Sequence, residues 1–225
     1  MSKTTANSSS RARIADVAAH RSAHGPAVGF RASWDVINAL KEHYAVGHLT
    51  ALMDALPVDT YGLFNNCDVG VYPEYVGGPT RILYPDAHAD ETWDTIYGYK
   101  RKRVSCSHGT NEEVTHNPLG EAELEEMEDY PWPQACWFDY SSIPAQCDAV
   151  VDRAIVFLAG SLWQASHIIG FERMLMDMLS EPEVVAYCVE KLGDFFVEFT
   201  ERTLVAANGR IDIICVQDDL GTQEG

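Results

Sequence analysis

Two adjacent carboxylates, Asp218 and Asp219, directly follow the apolar run at residues 211–216. Carboxylates that close repel one another, so one of the pair keeps its proton to higher pH; that equips it to donate a proton or to hold a cationic or metal-bound substrate. The competing reading is a loop carboxylate that accepts from backbone N–H groups as a helix cap does. If the pair is catalytic, replacing either Asp should lower turnover by about tenfold or more and leave thermal stability nearly unchanged. Trp163, Gln164 and His167 follow a second apolar run at residues 154–159, and Asn66 and Asp68 follow a third at 58–64. All five are candidates for substrate binding, with a Trp that packs only against its own sheet as the alternative for Trp163. Cys106, His108 and His116, with Glu112 and Glu113 between them, bring together metal-ligand types, but their spacing follows no zinc pattern and no metal site is expected there.

Elements must place these groups. Residues 33–56 carry apolar positions at helical spacing interrupted by Gly47, which predicts two short helices. The three apolar runs read as strands, the second turning into a helix capped by Ser161. Between the first two, residues 69–117 mix aromatic and β-branched residues with Gly, Pro and charges, as in residues 81–84 and 95–99, and read as an antiparallel hairpin insertion. A short acidic helix is expected at residues 121–129, stopped by Pro131 and Pro133.

The strongest helix signal follows. Ser180-Glu181-Pro182-Glu183 has the pattern of a capping box with Pro in the first turn. Val185, Cys188, Val189, Leu192, Phe196 and Phe199 then repeat at three and four residues, and Asn208-Gly209 supplies a left-handed stop. Strand, helix, strand in this order implies a parallel sheet covered by helices. No G-x-G-x-x-G follows a strand and no G-x-x-x-x-G-K-[ST] occurs, so a β/α barrel is favoured over a nucleotide-binding open sheet. Eight strands and helices take about 250 residues, so the 225 residues here read as an incomplete TIM (β/α)8 barrel with an N-terminal helical segment and a β-hairpin insertion. Residues 1–31, rich in Ser, Ala and Arg with Asp16 as the only acid, read as a disordered leader, and residues 32–225 as the N-terminal part of the barrel.

Composition sets the partners. A formal net charge of −18 repels phosphate backbones and anionic membrane surfaces, so neither nucleic acid nor membrane is expected. Six cysteines without a C-x-x-C pair suit reduced thiols in the cytoplasm. No apolar run approaches the roughly 18 residues of a membrane span.

The segment I-D-I-I-C-V-Q-D-D-L-G-T-Q-E-G at the C-terminal end and G-F-E-R-M-L-M-D-M-L-S-E-P-E-V-V at residues 170–185 resemble the uroporphyrinogen decarboxylase-like family. H-N-P-L at residues 116–119, followed by the acidic helix and Tyr130-Pro131-Trp132-Pro133, resembles that family's passage into its barrel. The resemblance implies an enzyme of one of two kinds. One is zinc-assisted methyl transfer involving a corrinoid or a thiol, with the zinc ligands in a later part of the family's barrel and a corrinoid protein or small molecule as partner. The other is porphyrinogen decarboxylation, whose arginine-containing Q-A-G-R motif is missing from this sequence. A third reading is non-enzymatic: an inactive fragment, or a half-barrel that self-associates or needs a complementing chain.

Overall fold

The computed structural model describes residues 9–21, 26–62, 70–78, 92–106 and 109–218. The chain is a mixed α/β protein that divides into two compact units, one formed by Met1–Pro73, Tyr140–Leu158 and Thr203–Cys215, the other by Glu74–Asp139, Ala159–Arg202 and Val216–Gly225.

The first unit opens with a helix, α1 (Ser10–Ala18), inside the stretch expected to be a disordered leader. Ser9 caps it by accepting from the Ala12 N–H, and Arg13 holds it to Asp59, a carboxylate only 3% exposed. Helices α2 (Trp34–His43) and α3 (Leu49–Ala55) pack through Ile37, Leu52, Met53 and Val58. The break between them is made by Ala45, in the left-handed region at φ 53°, and not by Gly47. The turn closes through Val46 N–H to the Lys41 carbonyl, so the backbone bonds there outweigh the ordinary Cβ penalty.

Strand β1 (Thr60–Tyr61) lies parallel to the later strand β7 (Ala154–Gly160), with Thr60 opposite Ala154 and Tyr61 opposite Ile155. β7 is the centre of a three-stranded sheet whose other edge is β8 (Ile213–Val216). Its apolar run is nearly continuous because both of its faces are covered. Helix α5 (Ile143–Ala149) adds Ile143 and Cys147 to a core with Val71, Ile155 and Ala207, and Gln146 exchanges two hydrogen bonds with the Tyr72 backbone.

The second unit contains the expected hairpin: β3 (Thr92–Asp94), β4 (Lys100–Cys106) and β5 (Gly109–His116) form an antiparallel sheet. Across it Arg101 and Arg103 share the Glu112 carboxylate, so part of the positive charge at residues 100–103 is balanced by the facing strand. Residues 95–99 form a turn instead of a strand, because Gly98 sits at φ 80° with Tyr130 so close that a Cβ would overlap its hydroxyl. Residues 81–84 lie outside the described residues. β2 (Glu74–Tyr75) pairs with β6 (Phe138–Asp139), and α4 (Leu124–Glu128) starts with a Glu123/Glu126 capping box.

Three helices complete the account: α6 (Gln164–Ile169), α7 (Phe171–Ser180) and α8 (Pro182–Ala207). α8 begins at the expected Pro182 but without the expected Ser180 cap. Ser180 belongs to the end of α7 and donates back to the Met176 carbonyl. Asn208 and Gly209, at φ 49° and 75°, stop α8 as anticipated. Among the described residues the sheets have three, two and three strands and none closes on itself. Among the described residues no helix is long and apolar enough to cross a membrane.

Candidate functional site

The C-terminal ends of β7 and β8 present the richest group of polar side chains, all within the second unit. Gly160 ends β7 and accepts a backbone bond from Gln217, which places the turn at 161–163 beside residue 218. Asp218 turns its carboxylate into that turn. Oδ1 accepts from Trp163 N–H at 2.7 Å and from the Ser161 hydroxyl at 3.1 Å, and Oδ2 accepts from Leu162 N–H at 3.0 Å. The N–H groups are those that open α6 and lack a helical partner. A carboxylate from β8 therefore caps the helix that follows β7, a role in which Ser161 shares by accepting from Trp163 N–H at 3.2 Å. That is the capping role set against catalysis above, and it uses both carboxylate oxygens. Asp219, Asn66 and Asp68 lie outside the described residues.

Gln164 and His167 do come together, whereas the Trp163 ring packs against Phe171. Gln164 Oε1 accepts the Tyr99 hydroxyl at 2.7 Å and lies 3.4 Å from His167 Nδ1. Because Oε1 is only an acceptor, this contact is favourable when Nδ1 carries the proton, which leaves the lone pair on Nε2. The ring stands edge-on to Tyr99 at 5.0 Å, and Arg101 lies over the Tyr99 ring at 5.5 Å. Burial, with a smaller contribution from the positive charge of Arg101, lowers the His167 pKa to about 4. Near neutral pH the imidazole is thus an uncharged acceptor with its face fixed by a phenol. Burial likewise raises the Tyr99 pKa, so its hydroxyl stays a donor.

The backbone beneath is held by the H-N-P-L segment. Asn117 donates to the His167 carbonyl at 2.7 Å and Leu119 N–H to the Ile168 carbonyl at 3.1 Å. Trp163 leans against Phe171 with ring centroids 5.3 Å apart. Tyr99, Arg101 and Asn117 were not anticipated as site residues. Only the Tyr97-Gly98-Tyr99 triplet, an aromatic pair around a turn glycine, hinted that a ring would be aimed from the hairpin.

Several described members of the Cys106 to His116 group are engaged in other contacts. Glu112 is engaged by Arg101 and Arg103, Cys106 contacts the Gly109 carbonyl, and His108 lies outside the described residues. Among the described residues no three His, Cys, Asp or Glu side chains converge to hold a metal ion. The arrangement can accept a hydrogen bond at His167 Nε2 and pack a flat apolar group on Trp163. Comparison with protein families, with curated proteins and with solved structures found no match to this chain.

Proposed function

We propose that the chain forms part of the wall of a β/α barrel of the uroporphyrinogen decarboxylase-like kind, acting on a small molecule or a corrinoid at the C-terminal ends of β7 and β8. The parent chemistry is methyl transfer involving a corrinoid or a thiol. One observation carries the reading: a neutral, oriented His167 and an aromatic wall at Trp163 sit where the strands of a parallel sheet end, the position at which barrel enzymes place their sites. A corrinoid is broad and flat, and Trp163 offers it a stacking face while Gln164 and His167 offer polar contacts at its edge. The donor set does not fit zinc, since no ligand cluster exists among the described residues, and no step is assigned to a metal.

Arg101 favours a second reading. A guanidinium beside His167 would also suit the carboxylates of a porphyrinogen, and decarboxylation is the alternative activity. Calorimetric titration of the purified chain with hydroxocobalamin and, separately, with uroporphyrin separates the two. Cobalamin binding that weakens at least tenfold in Trp163→Ala supports methyl transfer. Uroporphyrin binding lost in Arg101→Ala shifts the assignment to the decarboxylase, and heat from neither ligand removes both.

A further inference from the structure

Helix α7 carries its apolar stripe on the outside. Phe171, Leu175, Met178 and Leu179 fall within an arc of roughly 100° on a helical wheel. Such a stripe ordinarily faces a core. Here these four side chains are 51%, 48%, 51% and 90% exposed. The inward side carries Met174, packed against the core, together with a polar pair: Arg173 Nε donates to the buried Asp177 carboxylate at 2.8 Å, and its other nitrogens donate to the carbonyls of Leu119 at 2.9 Å and Ala122 at 2.8 Å. Rolling the helix to bury the stripe would strand that carboxylate and both carbonyls, so the orientation is fixed by Arg173.

Trp163, half-buried and tilted against Phe171, adjoins one end of the strip. A contiguous apolar face of this kind marks an interaction surface, whereas single exposed apolar residues do not. The exposed charges along α7 and into the start of α8 are of one sign. Glu172, Glu181 and Glu183 are exposed, while the only base of the helix, Arg173, is turned inward. Two copies meeting through this face would bring six such carboxylates together on chains that each carry a formal −18, and an anionic bilayer would meet the same repulsion.

We propose that the outer face of α7 docks a basic amphipathic helix of a partner protein, whose apolar stripe seats on Phe171, Leu175 and Leu179 and whose Lys or Arg flanks meet Glu172, Glu181 and Glu183. The geometry is that of a helix laid along an apolar strip, with charge setting its choice of partner.

The probes are two fluorescein-labelled helical peptides with the same leucine stripe, one with lysine and one with glutamate at its flanks, titrated by anisotropy at near-physiological salt. The lysine peptide should bind and the glutamate peptide should not. Leu175→Asp/Leu179→Asp should weaken binding at least tenfold, while Val205→Asp, at a valine 81% exposed on α8, should stay within twofold. Glu172→Lys/Glu181→Lys/Glu183→Lys should reverse the preference between peptides. If circular dichroism shows the double variant unfolded, Leu179→Ser, at the most exposed position, decides in its place. Equal loss in the Val205 and α7 variants, absence of lysine-peptide binding, a dimer on light scattering that the α7 variants abolish, or vesicle binding that they abolish would each overturn the proposal.

Discussion

Replacing Asp218 by alanine removes the acceptor for three donors at once: Leu162 N–H, Trp163 N–H and the Ser161 hydroxyl. A hydrogen bond to a charged group contributes about 1.5–3 kcal/mol, and loss of a single helix cap costs about 1 kcal/mol. The three do not add. Trp163 N–H keeps its 3.2 Å bond to Ser161, and the turn is only half-buried, so water takes up part of the loss. The expected destabilisation is therefore about 2–3 kcal/mol, which for a chain of this size lowers Tm by about 5–10 °C. Asp218→Asn keeps one oxygen acceptor and should recover about half of that. Thermal unfolding followed by circular dichroism gives the shift, and amide exchange locates it. The Leu162 and Trp163 amides should lose protection in Asp218→Ala while those of α8 keep theirs. If both variants melt within about 1 °C of the parent and both amides stay protected, the capping assignment fails and the carboxylate returns to the catalytic candidates.

Three further outcomes are expected. Gly160→Ala should destabilise by about 2 kcal/mol or more, since its Cβ would lie 2.3 Å from Phe196 Cδ1, and adding Phe196→Leu should restore part of the loss in a double-mutant cycle. The His167 pKa is lowered to about 4 from an unfolded value near 6.5, so the unfolded chain binds the extra proton. Its contribution to stability is complete above pH 6.5 and is lost as pH falls towards 4. His167→Gln should flatten that part of the stability profile, and an NMR titration should find His167 neutral at pH 6. In α1, Arg13→Ala should cost about 2–4 kcal/mol by leaving Asp59 buried without its cation, and should open residues 9–21 to limited proteolysis. Burial alone would raise the Asp59 pKa, but Arg13 and the Val28 N–H outweigh it and hold it low. Unchanged cleavage at 9–21 would mean that α1 is retained by other contacts.

Sequence alone determined the features that depend on neighbours within one turn or one strand pair. Pro182 and Asn208-Gly209 bound α8 because a missing N–H and a tolerated positive φ are properties of those residues wherever they stand. The uninterrupted apolar run of β7 announced a strand covered on both faces, and a hairpin was expected within residues 69–117, although its strands at Lys100–Cys106 and Gly109–His116 are not the runs at 81–84 and 95–99 that suggested it. Tertiary structure decided which way things face and what they touch. Apolar residues at helical spacing ordinarily face a core, yet Arg173 holds α7 the other way through carbonyls 51 and 54 residues distant in the chain. Asp218 stands at a strand end, where a catalytic carboxylate would also stand, and only the N–H groups of residues 162 and 163, 56 and 55 positions earlier, assign it to capping. Tyr99 reaches His167 through Gln164 from a turn that carried no motif. Backbone preferences act over a few residues and are written locally, whereas a hydrogen-bond partner is selected by which distant groups the fold leaves without one.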